Sequence, residues 1–351
     1  MSRYKQPYCL YKRGKYWYYK TYALDGSRTC GKTTHCTSKN SARIYCDKLF
    51  LSGSLFTSSK KFADYASGFF DSDSVYLSDR NKPLSKNTIM LYKQLLKNRV
   101  LPYFEKMDLS DITHSKIKAW RASLLADGLA ANTIQVCVLV LNVIFKSAVN
   151  DNLISSNPAE NLPALQKDSV RDSFTREEVR SVFRSAGVNS AFVLLLALTG
   201  MRFSELYGVT ENDIVQIDGV DFVYLQQQKD KDGEYIPLKT KTARYIPLSP
   251  RLVPFVRSMN TKNAQSAIRN SLRPVFDSLE NAKARKLSCH SFRHFFITDA
   301  KAQNINPQKV EVIAGHTLSG IEKTYTNFKP SDLVDIIGWQ NEMLDYLNSA
   351  I

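Results

Sequence analysis

The sequence predicts a mainly α-helical protein with small β-sheets, arranged as three successive regions. Three observations carry this. Residues 1–55 are β-prone and strongly basic, residues 56–165 place apolar side chains at helical spacing, and residues 174–351 combine such helices with a short alternating stretch. A chain of 351 residues also exceeds what a single core usually organises.

In the first region, Tyr11-Lys12-Arg13-Gly14-Lys15-Tyr16-Trp17-Tyr18-Tyr19-Lys20 interleaves aromatic and cationic residues, and Gly14 and Asp25-Gly26 are turn signals. Three short antiparallel strands are expected, then a helix over 38–51 capped by Ser38 or Asn40. The Ser-rich stretch 52–59 reads as a linker. This region holds 11 Lys/Arg against 2 Asp/Glu, more than half of the whole chain's excess of +15. So basic a balance points to a polyanion, nucleic acid before an anionic membrane surface. A small sheet with a basic aromatic face suits a DNA groove; a solvated surface hairpin is the plainer alternative.

The second region predicts helices over 58–70, 86–104, 113–126 and 131–149. Thr88, Tyr92, Leu95, Leu96 and Val100 form one apolar stripe, and Ile134, Val138, Leu141, Ile144, Phe145 and Val149 another. Lys86, Lys93, Lys97 and Arg99 fall largely off the stripe, where they can meet solvent or phosphates. Asn157-Pro158 closes the bundle, and 165–173 is polar enough for a hinge.

In the third region, Ser173 or Thr175 ahead of Glu177 and Glu178 opens a helix, and AFVLLLALT (191–199) is a buried helix stopped by Gly200. Strands are expected over 218–227 and 235–247 around a Lys231-Asp232-Gly233 turn. Helices are expected from 251, over 264–279, 290–303 and 308–315, and over 331–348.

Several classes are disfavoured. No uninterrupted apolar run approaches the roughly 18–20 residues needed to cross a bilayer, and the first twenty residues lack a signal-peptide core, so a cytoplasmic location is expected. Cys9, Cys30, Cys36, Cys46, Cys137 and Cys289 are expected as reduced thiols. Four of them lie near His35, but without a C-x-x-C pair no zinc site is expected.

Scattered elements can assemble one site. Arg202 stands just beyond the buried helix in LTGMRFSEL, with Glu205 three residues on to orient it. His290 and Arg293 are one helical turn apart. Two fixed guanidiniums and an imidazole are what a phosphodiester's non-bridging oxygens require as charge builds in a pentavalent transition state. His316 follows Ala314-Gly315, and Tyr325 comes nine residues later. A phenol with an ordinary pKa of about 10 attacks phosphorus only beside cations and a proton acceptor. Lys239 offers an ammonium to protonate a departing 5′-oxygen, with Lys241 its rival. Cys289 and His294 beside this set read as packing and structural residues.

The order and spacing Arg202…Lys239…His290-x-x-Arg293…His316…Tyr325 resembles the active-site signature of the tyrosine recombinases, the lambda-type integrase family. The wording KTKTARYIPL, HSFRHFFIT, AGH and KTYTN is similar too. Residues 60–165 resemble that family's core-binding domain, and the N-terminal sheet its arm-type DNA-binding domain.

The resemblance implies three domains: an arm-type DNA-binding domain over 1–55, a helical, SAM-like core-binding domain over 56–165 and a catalytic domain over 174–351. Tyr325 would attack a DNA phosphodiester, giving a 3′-phosphotyrosyl link and a free 5′-hydroxyl that rejoins a partner strand. Arg202 and Arg293 would clamp the phosphate, Lys239 would be general acid, His290 general acid/base, and His316 a hydrogen-bond donor to the phosphate. No cofactor or metal is expected, and no carboxylate cluster is placed for two divalent ions. The implied partners are double-stranded DNA at core and arm-type sites, a homo-tetramer on that DNA, and DNA-bending accessory proteins. A catalytically silent architectural protein and a type IB topoisomerase-like nicking–closing enzyme are the alternatives. Leu333, Ile336, Ile337, Leu344 and Leu347 make the last helix amphipathic, and the resemblance favours its docking on a neighbouring protomer over packing on its own domain, the plainer alternative.

Overall fold

The computed structural model describes residues 7–22, 28, 31–51, 60–151, 153–166, 172–259, 263–316 and 328–349. The chain divides into two compact units, Met1–Ser169 and Val170–Ile351, and the division falls within the stretch read as a hinge. The linker reading for 52–59 lies outside the described residues.

The first unit opens with β1 (Tyr8–Arg13), β2 (Tyr16–Thr21) and β3 (Lys32–Thr33), an antiparallel sheet in that order. Gly14 turns the β1–β2 hairpin with φ at +61°, which a side chain would disfavour. Alternation then sorts the sheet's two faces. Tyr8 and Tyr19 are buried with Cys46 of α1 (Lys39–Leu51), while the register pairs Tyr11 with Tyr18 and Arg13 with Tyr16 on the opposite face. Lys20 lies over the Tyr11 ring at 5.4 Å, and Lys39 lies over Trp17 at 5.8 Å. Ser38 caps α1 by accepting the Ser41 N–H at 3.1 Å.

A separate core in the same unit is formed by α2 (Phe62–Ala66), α3 (Val75–Ser78), α4 (Lys86–Leu95), α5 (Leu101–Phe104), α6 (His114–Ala126) and α7 (Ala131–Asn150). The helix expected over 58–70 is one short helix, and α3 was not expected. Between α4 and α5, Leu96–Val100 form a π-helical turn that sequence spacing does not reveal. It immediately precedes Leu101-Pro102; a proline lacks the N–H that would continue the ladder, and the widened turn absorbs the mismatch. Lys86, Lys93, Lys97 and Arg99 are all exposed. By length and composition α7 could cross a membrane, with a mean hydropathy of 1.6. Its apolarity has another use here, since Ile134, Cys137, Leu141, Ile144 and Phe145 fill the bundle core.

The second unit begins with α8 (Arg176–Ser185), opened by a reciprocal capping box between Thr175 and Glu178. Next come α9 (Ser190–Thr199), α10 (Phe203–Gly208) and a three-stranded sheet of β4 (Ile214–Ile217), β5 (Val220–Leu225) and β8 (Arg244–Leu248) in that order. A two-stranded ribbon, β6 (Gln227–Lys229) and β7 (Tyr235–Pro237), stands apart from it. Asp218-Gly219, both at positive φ, form a hairpin turn, so Asp218 does not start a strand as expected. The run 235–247 is likewise interrupted between Pro237 and Arg244, with Lys241 at φ +56°.

The remaining helices are α11 (Val253–Ser258), α12 (Gln265–Asp277), α13 (Ala282–Arg285), α14 (Cys289–Ala302), α15 (Pro307–Ala314) and α16 (Ile336–Asn348). The docking of α16 corrects an expectation. Ile336, Trp339, Met343, Leu344 and Leu347 are buried in their own unit's core rather than left for a neighbouring protomer. Gln340, wholly buried, accepts the Ser249 N–H at 2.8 Å and donates to the Leu198 and Pro247 carbonyls at 3.0 Å each. These are backbone groups of the core, so α16 completes it from within.

Candidate active site

Local chemistry explains how Arg202 is presented. Every residue of α9 after Ser190 is buried, and the helix ends at Gly200 in the left-handed conformation (φ +65°), where an added Cβ would collide with the Phe296 ring. The chain reverses through Met201, and Arg202 takes the extended position before α10. Glu205, three residues on, reaches back to accept the Arg202 backbone N–H at 2.8 Å and the Arg202 Nη1 at 2.7 Å. The orienting role read for Glu205 matches this geometry.

Glu205 has a second partner that the sequence reading did not single out. Arg244, the first residue of β8, donates Nη2 to Glu205 Oε2 at 2.7 Å and Nη1 to Oε1 at 3.3 Å. Both side chains are buried, that of Glu205 completely. Burial alone would raise the Glu205 carboxyl; the Arg244 charge and hydrogen bond, with the Arg202 N–H and charge, override it and hold it below the usual carboxylate range. A signal for Arg244 exists in the sequence. Period-two alternation in Arg244-Tyr245-Ile246-Pro247-Leu248 puts Arg244 on the face of Ile246 and Leu248, both fully buried.

Arg293 comes from the second turn of α14, one turn after the half-buried His290. Only 1% exposed, it donates Nη1 to the Gly200 carbonyl at 2.9 Å and to the Ala314 carbonyl. Its Nη2 is buried and has no hydrogen-bond partner among the described residues. Burial, then the nearby charges of Arg202 and Arg244, pull the Arg293 pKa down to about 9 against the smaller opposing pull of Glu205 and Glu311. The cation is therefore held at a cost that an anion beside it would relieve.

The C-terminal end of α15 ties the arginines together. The last carbonyls of a helix have no partner within it. Here three in succession each accept from a different arginine: Ile313 from Arg244 Nε at 2.9 Å, Ala314 from Arg293, and Gly315 from Arg202 Nη2 at 3.3 Å. Gly315 (φ +75°) ends the helix, and His316 follows with its backbone N–H donated to the Glu311 carbonyl at 2.9 Å. The His316 ring donates Nδ1–H to the Glu311 carboxylate, which also pairs with Lys301. Glu311 is thus a further orienting residue that the sequence reading missed. Desolvation raises its carboxyl, but the Lys301 and His316 hydrogen bonds outweigh this and lower it.

Arg202, Arg293 and His316 are thereby brought together. His290 shares α14 with Arg293, and its ring meets that of His294 at 5.0 Å, edge to face. Lys239, expected on a strand, and Lys241 sit instead at exposed positions between β7 and β8, and neither joins the arginine cluster among the described residues. Tyr325 lies outside the described residues. Cys289 is buried, its thiol pushed up to about 11 by that burial against the pull of Arg269, as suits an inert packing residue.

Residues 69–125 match the family model described as phage integrase, N-terminal SAM-like domain, and residues 174–331 match that of the phage integrase family. Together they take in more than half of the sequence. The chain belongs to the phage integrase family of tyrosine recombinases. Among relatives of this integrase-family chain, the ICEBs1 integrase of Bacillus subtilis is 25% identical over 212 residues, covering 57% of this chain and 55% of the relative. The chain thus spans about half the length of that relative. A putative prophage phiRv2 integrase of Mycobacterium tuberculosis is 23% identical over 290 residues, 75% of this chain and 73% of its own. In fold, the integrase-family chain is similar to lambda integrase in a dimer bound to a COC′ core site, with a TM-score of 0.56, 16% identity, and 96% of this chain and 97% of that one covered. Lambda integrase in a tetramer bound to a Holliday junction gives 0.55 at 16% identity, over 91% of this chain and 97% of that one.

Proposed function

We propose that this chain is a site-specific DNA recombinase that integrates and excises a prophage or other mobile element. One observation carries the reading: the Nη2 of Arg293 is buried and without a hydrogen-bond partner among the described residues, in a cluster with Arg202, whose Glu205 carboxylate is shared with Arg244. A phosphodiester is the anion that the basic chain and its family membership favour.

In this reading Tyr325 attacks the phosphorus, the bond to the 5′-oxygen breaks, and a proton from Lys239, or its rival Lys241, goes to the departing oxygen. Arg202 and Arg293 neutralise the charge that builds on the non-bridging oxygens. His290 exchanges protons with the attacking and leaving groups. His316, oriented by Glu311, hydrogen-bonds the phosphate through its other ring nitrogen. The bond count is conserved, so rejoining needs no external energy source.

Residues 1–55 act as an arm-type DNA-binding domain through the face bearing Tyr11, Arg13, Tyr16 and Tyr18, and residues 56–165 as the core-binding domain. Both contact mostly phosphates, so binding weakens steeply with salt. Four protomers assemble on paired sites, with DNA-bending proteins as accessory partners. Strand exchange between two labelled duplexes tests the reading. Recombinant product supports it; relaxation of supercoiled DNA without exchange would mark a nicking–closing enzyme, and binding without cleavage an architectural protein.

A further inference from the structure

We infer that Arg244 is a positioning residue for the phosphate clamp, acting through Glu205 to keep Arg202 fixed and its positive charge available to a phosphate. The inference rests on the strand-cleavage reading and extends it to a side chain whose Nε, Nη1 and Nη2 are all already engaged, by the Ile313 carbonyl and the two Glu205 oxygens.

Each Glu205 oxygen accepts twice. Oε1 takes Arg202 Nη1 at 2.7 Å and Arg244 Nη1 at 3.3 Å, while Oε2 takes the Arg202 backbone N–H at 2.8 Å and Arg244 Nη2 at 2.7 Å. Arg244 thus supplies half of the bonds that hold the carboxylate. It is itself anchored, because its Nε donates to the Ile313 carbonyl at 2.9 Å and its guanidinium lies against Gly315.

Charge makes the same point. Were Glu205 paired with Arg202 alone, the two would cancel, and the carboxylate would compete with an incoming phosphate for the guanidinium. With Arg244 as second partner the trio carries a net positive charge, and Arg202, whose side chain is 20% exposed, is the member open to a ligand. Only a planar fork reaches both carboxylate oxygens and a backbone carbonyl together; a lysine ammonium cannot.

The test uses the full-length protein in single-turnover attachment to a nicked duplex bearing a recombination site from the DNA flanking its gene. Wild type, R202A, R244K and R202A/R244K are compared, with thermal unfolding and DNA affinity measured alongside. R244K is expected to slow attachment about 100-fold while affinity changes about twofold or less, because misplacement acts on the transition state rather than on binding. The double variant is expected to be no slower than R202A, since Arg244 acts through Arg202. Losses that multiply, or R244K as fast as wild type, overturn the inference. If R244K unfolds below the assay temperature, R244Q enters the same comparison under the same criteria. No adduct with wild type overturns the strand-cleavage reading itself.

Discussion

The guanidinium of Arg244 lies so close over Gly315 that a Cβ at position 315 would stand 2.6 Å from the Arg244 Cζ. Gly315 also holds φ at +75°, so two independent constraints exclude a side chain from the turn that leads into His316. Gly315→Ala is expected to cost about 1–3 kcal/mol from backbone strain alone. Displacing Arg244 should add a loss of cleavage. Thermal unfolding and single-turnover cleavage check the two effects separately, and a variant as stable and fast as wild type would count against this packing.

Glu205 has no exposed side-chain surface and sits between two arginines. Glu205→Ala leaves the buried Arg244 and the half-buried Arg202 without their counter-charge, with an expected loss of about 3–5 kcal/mol in unfolding free energy. The same pairing sets a pH dependence. Because the folded-state carboxyl lies below its ordinary value of 4.5, its stabilisation is complete above that pH and is lost as the pH falls beneath it. Acid titrations of wild type and Glu205→Gln should diverge above pH 4.5 and converge below it.

The cis docking of α16 predicts an unfolding temperature independent of protein concentration, since no second copy is needed to cover its apolar face. Gln340→Leu should likewise melt independently of concentration yet lose about 1–3 kcal/mol or more, because buried Ser249, Leu198 and Pro247 backbone groups lose their partner. A melting temperature that climbs with concentration would contradict this arrangement.

Arg293→Lys keeps a cation but gives up the fork whose Nη1 joins Gly200 and Ala314 and whose Nη2 has no partner among the described residues. Cleavage should fall about 10²–10³-fold, as for removal of one preorganised donor to a developing oxyanion. DNA affinity from a gel-shift titration should change far less. Parallel losses would mean that Arg293 serves ground-state binding.

Much of the fold was legible because local chemistry and tertiary need agree. The alternation around Gly14, the Thr175–Glu178 capping box and the 191–199 segment, apolar as far as Leu198, each specify one structure. Arg202 with Glu205, and His290 with Arg293, were legible because a three-residue spacing joins them, across the start of α10 in one case and along α14 in the other. Arg244 was hidden among Lys239, Lys241 and its own basic surroundings, where a run of cations reads as a solvated face. Its alternation with Ile246 and Leu248 marks an inward face, but the flanking cations mask that signal, and its burial depends on α10 and α15 closing over β8. Lys239 was misplaced because alternation continues past Pro237 although the backbone does not, Lys241 adopting positive φ. For α16, the apolar stripe said that something must cover it, but not what. Gln340, polar in that stripe, carried the answer through partners in two distant segments, α9 and the end of β8.

The most direct measurement is covalent attachment to a nicked duplex by wild type and Tyr325→Phe, resolved on a denaturing gel. The account predicts a protein–DNA adduct with the wild type and none with the variant, with DNA binding retained by both. An adduct of equal yield with Tyr325→Phe, or none with a wild-type protein that binds the duplex, would contradict it.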